Sequence, residues 1–584
     1  MNTEYKCVTT VDGIHDYIGS SGIVAFDFET APDDPYREED KAALDPARAH
    51  IVGCSFSVKE GTGIVTMSGN NSYTGGNALK GGTTRVSLLA NQYSAVGNLG
   101  GITTNANLFT IENAAVLQST AAVEMGSPMK MVGDEGGVIN NSADFRMNAA
   151  LSGTLLTKKG SGCLYVSGGS SLSRMVIAAG SVAETGNPAA TVEFQGGTLY
   201  DDATCTTHAI YVPKGKSGTW QLTYTYYTNY TNKLTGEGTL TVVPRNTVSR
   251  VRISGDWSEF QGTVKHTNTS IWLPFDCTSG MPHGTLDIAS GCGVTNVAKA
   301  MTIGAVTGSG SLNHAVANFQ NSSAVSGNNT WNIGNSDGKD FTFAGIIHDD
   351  GGTNKSLFNK VGTCKMTFTG TGSFSGACRV NAGELCLNNS TTNVMLGTST
   401  LTVAKGATLS GKGVLANTSV TVVSGGTLRS GITEKATSGN LQFSGKNVIV
   451  NGNIQTYVSS RSLYSKFTNI GTLTLNGTLV LKGRDDLSLS VGDELKIFDA
   501  ATITLGSSLS FDLCSPNPSR GYTWDTSRLS EGVLVVGPAP DGVISLQADE
   551  LREADIYTLQ GVKQKKRPTR AGVYIVNGVK MLLK

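Results

Sequence analysis

Charged side chains are scarce in this 584-residue chain. Only 15% of the residues are charged, and the 45 basic and 45 acidic side chains cancel. This balance excludes an electrostatic field strong enough to hold nucleic acid or anionic lipid along the whole chain. No apolar run approaches the roughly 18 residues of a membrane-spanning helix. The composition therefore predicts a soluble or secreted protein.

Paired cysteine motifs are also lacking. The ten cysteines include no CxxC pair, which argues against a zinc ribbon or a thioredoxin-type site. Cys205 with His208, and Cys277 with His283, each offer half of a metal site. We expect most of the cysteines to be small buried hydrophobic residues. The N-terminus lacks a basic region followed by an apolar stretch, a feature that taken alone predicts a cytoplasmic protein.

Glycine, by contrast, is abundant. The chain holds 73 glycines, and each costs roughly 1 kcal/mol relative to alanine inside a helix. Ser, Thr and Asn favour turns because their side chains bond the backbone. The sequence therefore predicts a chain that is mainly β.

The composition changes near residue 62. Residues 1–60 carry 12 acidic and 5 basic side chains with 4 glycines, whereas the rest of the chain has a basic excess and 69 glycines. Segments so different rarely share one core. A second change follows Pro538 and Pro540. We therefore predict three parts, at 1–62, 63–537 and 538–584.

The first part has the pattern of an opening α/β layer. Residues 23–28 and 50–58 read as buried strands, and residues 11–18 as a short helix. VAFDFET at 24–30, AALDP at 42–46 and IVGCSFSVKEG at 51–61 resemble the 3'-to-5' exonuclease domain of family A DNA polymerases, which has a ribonuclease H-like fold. This resemblance implies that Asp27 and Glu29 are catalytic carboxylates that bind Mg²⁺ or Mn²⁺ and act on DNA. Two divalent ions could then activate a water for phosphodiester cleavage.

The family also needs two further acidic motifs. Asn140 and Asp144 imitate the spacing of one of them, but they lie in a Ser, Asn and Gly-rich region. We therefore expect an incomplete fragment, with an exonuclease as the alternative function.

The body of the chain repeats one plan. A glycine turn, an alternating strand, a small polar turn and a second short strand recur at 61–76, 158–181 and 360–389, with simpler units at 399–413, 419–431 and 471–483. Short strands with regular glycine turns are typical of stacked coils in which each strand pairs with its neighbours. At roughly 20 to 25 residues per coil, we predict about 20 coils of a right-handed parallel β-helix.

These units resemble the autotransporter-associated β-strand repeat of surface passenger proteins. That resemblance implies a structural or adhesin-like function without catalytic residues. The segment 521–536 is similar to the closing strand pair of such passengers, with Tyr522 and Trp524 covering the last coil.

Carbohydrate binding or cleavage on the β-helix is a further alternative. Acidic doublets occur at 201–202, 349–350 and 485–486, and we expect them to lie in solvated turns. The candidate aromatic residues could stack on sugar rings or fill a broad coil; they are Trp220, Tyr224, Tyr226, Tyr227 and Tyr230. The Thr, Ser and Asn side chains of the ladder surface support adhesion equally well.

The last part is similar to the C-terminal sorting modules of Bacteroidetes-type secreted proteins. A YTLQG strand precedes a GVYIVNGVK hairpin and a terminal lysine. This resemblance implies a small β-sandwich that engages secretion machinery. The basic run at 563–570 lacks interleaved aromatic residues and reads as a solvated turn.

Together these patterns predict a monomeric, secreted or outer-membrane-surface protein that binds cell-surface or carbohydrate ligands. The N-terminal segment points instead to the cytoplasm. The conflict suggests a chimera, in which a polymerase-like fragment has been joined to a surface protein by recombination or by an assembly error.

Overall fold

The computed structural model covers the chain in many segments. It describes residues 23–32, 49–58, 64–66, 77–87, 89, 108–184, 186–201, 206–222, 228–244, 251–267, 272–297, 300–314, 327–349, 355–389, 394–396, 400–416, 418–435, 439–540, 544–545, 555–564, 568, 572–576 and 579–583. Within them, the chain forms two compact units, the first ending at Ser279 and the second beginning at Gly280.

The first unit consists of strands and turns. Its strands are β1 (Ile23–Pro32), β2 (Ala49–Val58), β3 (Ile64–Thr66), β4 (Asn77–Leu79), β5 (Thr83–Val86), β6 (Phe109–Glu112), β7 (Ala115–Ser119), β8 (Val123–Met125), β9 (Met129–Val132), β10 (Gly137–Asn141), β11 (Phe145–Met147), β12 (Leu151–Lys159), β13 (Cys163–Val166), β14 (Ser170–Ile177), β15 (Ser181–Glu184), β16 (Thr191–Phe194), β17 (Thr198–Asp201), β18 (Ala209–Val212), β19 (Ser217–Leu222), β20 (Asn229–Tyr230), β21 (Leu234–Gly236), β22 (Thr239–Pro244), β23 (Arg252–Ile253), β24 (Thr263–His266) and β25 (Trp272–Phe275).

The second unit is built in the same way, with one 3₁₀ turn at Leu529–Glu531. Its strands are β26 (Met281–Ile288), β27 (Gly293–Asn296), β28 (Ala300–Gly308), β29 (Ser311–His314), β30 (Asn329–Ile333), β31 (Phe341–Phe343), β32 (Ile346–His348), β33 (Ser356–Lys360), β34 (Lys365–Phe368), β35 (Thr371–Ser373), β36 (Cys378–Val380), β37 (Glu384–Asn388), β38 (Val394–Leu396), β39 (Thr400–Val403), β40 (Thr408–Lys412), β41 (Val414–Leu415), β42 (Ser419–Val422), β43 (Thr427–Ser430), β44 (Asn440–Val450), β45 (Asn453–Val458), β46 (Lys466–Leu475), β47 (Thr478–Gly483), β48 (Glu494–Lys496), β49 (Phe498–Leu505), β50 (Ser510–Leu513), β51 (Thr523–Asp525), β52 (Val533–Gly537), β53 (Ile544–Ser545), β54 (Ile556–Thr558), β55 (Gly572–Val576) and β56 (Val579–Leu583).

Most of these strands pair in parallel with the strand one coil before and one coil after. In the first unit two such stacks run in the order β18-β16-β14-β12-β10-β7 and β11-β13-β15-β17-β19-β22-β24. In the second unit two stacks run in the order β33-β36-β39-β42-β44-β46-β49 and β31-β34-β37-β40-β43-β45-β47-β50. The predicted parallel β-solenoid is therefore confirmed.

The solenoid has about 15 turns instead of the predicted 20 or so. Several coils are longer than the sequence repeat suggests. Met301 pairs with Trp331, and Leu473 pairs with Ile503, so each of these coils takes 30 residues. No α-helix occurs among the residues that the structure describes, and none there could cross a membrane.

The core consists of columns of inward-facing side chains. Leu164, Val182, Leu199, Trp220 and Val242 lie at matching positions of β13, β15, β17, β19 and β22, and all five are completely buried. Alternate residues of a strand point to opposite faces, so the residues between them face outward. Burial of each large apolar side chain contributes roughly 1.5–3 kcal/mol, which makes these columns the main cohesive element of the coils.

Two lysines are buried inside this architecture, one in each unit. Lys158 Nζ donates hydrogen bonds to the carbonyl oxygens of Lys159 at 2.8 Å, Gly160 at 3.0 Å and Ala179 at 3.3 Å. Lys360 Nζ makes the equivalent contacts in the second unit. It donates hydrogen bonds to the carbonyl oxygens of Val361 at 2.7 Å, Gly362 at 3.0 Å and Ala382, one coil later, at 3.2 Å. Each ammonium group therefore joins successive coils at a glycine turn.

The turn beside Lys158 requires glycine. Gly180 has a φ of +65°, and a Cβ atom there would lie 2.3 Å from the carbonyl oxygen of Gly160 and 2.8 Å from Lys158 Nζ. A larger residue would therefore clash with both the backbone and the lysine that joins the coils.

The N-terminal part contains the two predicted strands. β1 and β2 pair antiparallel, with Asp27 opposite Ser55 and Glu29 opposite Gly53. The helix predicted at residues 11–18 lies outside the described residues.

The end of the second unit is an antiparallel region. β52 lies between β48 and β51, which confirms the predicted closing strand pair. Trp524 Nε1 donates a hydrogen bond of 2.7 Å to the carbonyl oxygen of Cys514, directly after the last rung strand β50. Leu505 and Phe511 of this last coil remain 40% and 45% exposed, although their partners Leu475 and Leu479 are fully buried.

The C-terminal part forms one four-stranded sheet in the order β53-β56-β55-β54. The predicted hairpin is confirmed, since β55 and β56 pair antiparallel with Val576 opposite Val579. These four strands form one sheet, and the rest of the predicted β-sandwich lies outside the described residues.

Candidate functional site

A regular array of hydroxyl groups covers one outer surface of the second unit. Five consecutive rung strands, β39, β42, β44, β46 and β49, each place one outward residue on either side of an inward aliphatic residue. That residue is buried in the first four strands and half-buried in β49, where it is Ile503. We call these ten outward positions the second-unit threonine face. They are Thr400, Thr402, Ser419, Thr421, Asn447, Ile449, Thr472, Thr474, Thr502 and Thr504.

The strand register aligns these positions in columns. Thr402 pairs with Thr421, Thr421 with Ile449, Ile449 with Thr474, and Thr474 with Thr504. Neighbouring strands lie about 4.7–4.9 Å apart, and alternate residues of one parallel strand lie about 6.6 Å apart. The face is therefore a two-column grid that spans five rungs.

Burial beneath the grid fixes the orientation of its side chains. Leu401, Val420, Val448 and Leu473 lie between the paired outward positions and are at most 1% exposed. A change of register by one residue would turn these aliphatic side chains to solvent. The amide oxygen of Asn447 also accepts a 3.2 Å hydrogen bond from the backbone N–H of Thr472, which ties one rung to the next.

The grid carries no charged side chain at any of its ten positions. Eight positions are Thr or Ser, whose hydroxyl groups can each donate one hydrogen bond and accept two. The threonine methyl groups and Ile449, which is 40% exposed, add apolar area between the hydroxyls. The chemistry of the surface is therefore uncharged, hydrogen-bonding and partly apolar.

The first unit bears a similar surface, which we call the first-unit threonine face. It has two columns that run across the strands. One column contains Ser181, Thr198, Thr219 and Thr241, and the other contains Ser217, Thr239 and Thr263. Tyr165 lies on the same outer side, with the guanidinium carbon of Arg146 4.0 Å from its ring centroid. Each unit thus presents its own hydroxyl grid.

A charged cluster lies on another outer surface of the second unit. Glu384 Oε1 is 2.6 Å from the Ser410 hydroxyl, 2.7 Å from an Arg429 nitrogen and 3.1 Å from Lys365 Nζ. Burial alone would raise the pKa of Glu384, but the hydrogen bond from Ser410 and the two cations outweigh it, so the pKa lies below its ordinary value. Lys365 Nζ also donates a 2.7 Å hydrogen bond to the carbonyl oxygen of Ile432. Glu434, in the segment after β43, also lies 3.9 Å from a nitrogen of Arg429. The cluster is therefore an ion network that holds this segment, with Glu384 paired to cations as in a structural salt bridge.

The sequence prediction for the doublet at 201–202 is wrong for Asp201. This residue is completely buried in β17, where its carboxylate accepts a 2.5 Å hydrogen bond from Trp220 Nε1 and lies 3.6 Å from His208 Nε2. Asn232 Nδ2 in turn donates to the His208 carbonyl oxygen at 2.9 Å. These residues form an internal polar network in place of a solvated turn.

Two of the candidate aromatic residues, Trp220 and Tyr230, contact Asp201 in this network. Trp220 and Tyr230 are completely buried, with their rings edge to face and 5.4 Å apart. Trp220 therefore fills the coil and presents no ring face to a sugar. Tyr224, Tyr226 and Tyr227 lie outside the described residues.

The other acidic doublets occupy different settings. Asp349 is half-buried and accepts hydrogen bonds from the backbone of Ser356 at 2.7 Å and of Ser375 at 2.9 Å, so it organises the surrounding loops. Asp486 is exposed and pairs with Arg484 at 2.6 Å, as expected for a solvated turn. Neither carboxylate stands beside a second one in these contacts.

The cysteines behave as small buried residues. The side chains of seven cysteines are described; five of them are buried, and all seven are free thiols. Burial raises the pKa of the Cys277 thiol above its ordinary value, and its sulfur donates to the carbonyl oxygen of Ile253 at 3.3 Å. His208 belongs to the Asp201 network, and Cys205 lies outside the described residues. Among the residues described, no three His, Cys, Asp or Glu side chains gather to hold a metal ion.

Asp27 and Glu29 occupy alternate positions of β1. The structure describes the backbone of this strand but not its side chains, so the predicted pairing of the two carboxylates around Mg²⁺ or Mn²⁺ stays a prediction. The Asp144 carboxylate is 3.3 Å from Arg146.

Comparison with known proteins gives no further assignment. No family model matches the chain, and no curated protein matches it. The solenoid and its two threonine faces therefore carry the functional argument.

Proposed function

We propose that the protein is a structural, adhesin-like β-solenoid that acts at the cell surface or after secretion and has no catalytic activity of its own. The observation that carries this proposal is the pair of threonine faces. Each is a repetitive surface rich in hydroxyl groups that lies over a column of mostly buried apolar side chains. Such a surface offers many equivalent weak contacts at fixed spacing, which suits attachment to a repetitive ligand.

Multivalency explains how such a surface would function. One hydroxyl group contributes only about 0.5–1.5 kcal/mol to a complex. Contacts held at fixed positions on one rigid surface act together, because each new contact forms at a high effective concentration. A preformed face therefore loses little entropy when it attaches.

Adhesion can be tested with charged blocking substitutions. We expect wild-type protein to be retained on at least one surface among immobilised mucin, collagen, cellulose and xylan. A variant carrying Thr219→Lys, Thr241→Lys, Thr402→Lys and Thr421→Lys should be retained roughly tenfold less, because long charged side chains cover both grids. Retention is measured as bound protein after washing.

Thr408→Lys with Thr427→Lys serves as the matched control, since both positions face outward from the neighbouring sheet of the second unit. Equal retention of wild type and blocked protein on every surface, or no retention at all, would contradict the proposed adhesive function.

We further propose that the C-terminal part engages secretion machinery. Its four-stranded sheet and its short hairpin support a compact module of that kind. Treatment of intact cells with protease should degrade the full-length chain, whereas a chain that ends at residue 537 should stay protected inside the cell. Protection of both chains would argue for a cytoplasmic protein.

The second candidate function is a 3'-to-5' exonuclease. The observation that favours it is the strand β1, which places Asp27 and Glu29 at alternate positions, as a two-metal site requires. These carboxylates would hold Mg²⁺ or Mn²⁺, hard cations that oxygen ligands suit. The bound metal would supply the activated water.

Nuclease activity can be measured with labelled single-stranded DNA and Mn²⁺. If this candidate is right, wild-type protein should release mononucleotides. The Asp27→Ala variant should release them at least about 100-fold more slowly, because the metal pair loses a ligand. Asp134→Ala is the matched control, since it removes an exposed acidic residue from the β-solenoid. Absence of release from wild type, or equal release from Asp27→Ala, would remove the exonuclease candidate.

A further inference from the structure

We infer that the second-unit threonine face binds a neutral, extended polysaccharide whose chain runs along the stack of strands. The inference rests on the proposed adhesive function and assigns to it a site and a ligand class. The site consists of the ten outward positions of β39, β42, β44, β46 and β49.

Charge is the first argument. The ten positions hold no Asp, Glu, Lys or Arg, and the nearest cation in their columns is Arg379, which pairs with Thr402 one rung before the face begins. Recognition of an acidic glycan relies on charge-assisted hydrogen bonds. A ligand matched to this face is therefore uncharged.

Hydrogen-bonding capacity is the second argument. Each Thr and Ser hydroxyl both donates and accepts, and sugar hydroxyls do the same. Thr472 is an outward position whose backbone N–H is held by the amide oxygen of Asn447. Hydroxyl groups of the face can therefore donate to and accept from the hydroxyl groups of a polysaccharide, whichever way each sugar hydroxyl is oriented.

Periodicity is the third argument. The outward columns repeat at the spacing of parallel strands, about 4.7–4.9 Å, over five rungs. An extended β-linked glycan is likewise a regular polymer, whose sugars follow one another at a comparable distance. A chain lying across the strands therefore meets the same two outward positions at every rung.

The apolar component fits the same ligand. Ile449 is 40% exposed at the middle rung, between Thr421 and Thr474. Sugar rings present C–H groups on their flat faces, which pack against methyl groups and release water. Hydroxyls at the sides and an aliphatic side chain in the centre are complementary to such a ring.

The neighbouring outer surface of the same unit is charged at one end. One of its columns begins with Lys365 and Glu384, which are bound to each other, and continues through Thr408 and Thr427 to uncharged residues. The charged end distinguishes this surface from the face on β39 to β49, and its hydroxyl groups supply a control of the same architecture.

The experiment compares two valine variants of the full chain. Thr402→Val with Thr421→Val and Thr474→Val removes three hydroxyls from the face, while Thr408→Val with Thr427→Val removes hydroxyls from the control column. Valine keeps the shape and the strand preference of threonine. Matching circular dichroism spectra and unfolding temperatures show that both variants keep the wild-type fold.

Binding is measured with cellulose and xylan as neutral probes and with polygalacturonate and heparin as acidic probes. Wild type and the control variant should bind a neutral probe equally, and the face variant should bind roughly tenfold or more weakly. Binding should also be the same at about 0.05 M and 0.5 M NaCl, since screening does not affect an uncharged ligand.

Three results would overturn the inference. They are binding of acidic probes alone, neutral-glycan binding that the face variant retains in full, and retention on collagen or mucin without any neutral-glycan binding. The third result would leave the adhesive function intact and change only its ligand, whereas retention on no surface would overturn both.

Discussion

Replacing Trp220 by alanine is expected to lower the free energy of unfolding by about 3–5 kcal/mol, the range found for large aromatic residues removed from a core. Trp220 is completely buried in the inward column between Leu199 and Val242. Its removal would open a cavity there and would also take the hydrogen-bond donor from the buried carboxylate of Asp201. A buried carboxylate without its donor adds a further desolvation cost.

Urea unfolding followed by circular dichroism measures this loss. Tyr200→Ala is the matched control, because Tyr200 follows the buried Leu199 on β17 and faces outward. We expect the control to cost less than about 1 kcal/mol, as surface substitutions usually do. A Trp220→Ala variant as stable as the Tyr200→Ala variant would show that this coil is not packed as described.

Replacing Lys158 by methionine is expected to change how stability depends on pH. Burial lowers the pKa of Lys158 to about 8, against an ordinary value of 10.5. Between these two values the unfolded chain binds a proton that the folded chain releases, so raising the pH stabilises the folded state. The gain approaches about 3 kcal/mol, since one pKa unit corresponds to roughly 1.4 kcal/mol.

The measurement is the difference in unfolding free energy between wild type and Lys158→Met at pH 7.5 and pH 10.5. This difference should move in favour of wild type as the pH rises, because the variant has no amine to titrate. Lys159→Met is the matched control, since Lys159 is the exposed neighbour on the same strand. A difference that stays constant with pH, or that moves towards the variant, would refute the expectation.

Lys360 gives an independent check in the second unit. Burial lowers its pKa as well, and its three carbonyl partners repeat those of Lys158. The sequence contains this equivalence, because both lysines precede a glycine turn in KKGSG and KVGTC. The third carbonyl comes from the next coil, so the local sequence around each lysine does not reveal it.

The solenoid itself was predictable because its signals are local. In strands such as Thr400–Val403, the alternation of polar and apolar residues shows which side chains face the core. Glycine between such strands indicates a turn that needs a positive φ. The number of turns was overestimated because long connections within a coil leave no mark on the strand pattern. A pairing such as Met301 with Trp331 joins strands that are far apart in the sequence. A short repeat does not determine which of the distant strands become neighbours.

The roles of Asp201 and Trp220 were not predictable from local sequence. An acidic doublet beside Thr residues is typical of a turn, yet the side-chain network buries Asp201 against Trp220 and His208. The threonine face, by comparison, left a signal in the recurring Thr-apolar-Thr triplets TLT and TIT. What was missing was the register that sets these triplets one above another.

The last coil of the second unit suggests how a chain of this kind can change length. Leu505 and Phe511 continue the inward columns of Leu475 and Leu479 at the last rung of their stacks in the described residues. Because every rung offers the same backbone pairing, a tandem duplication of one coil in the gene could be accommodated while the other coils keep their pairings. Natural variants of such a chain would then differ by whole coils, and their threonine faces would lengthen in equal steps.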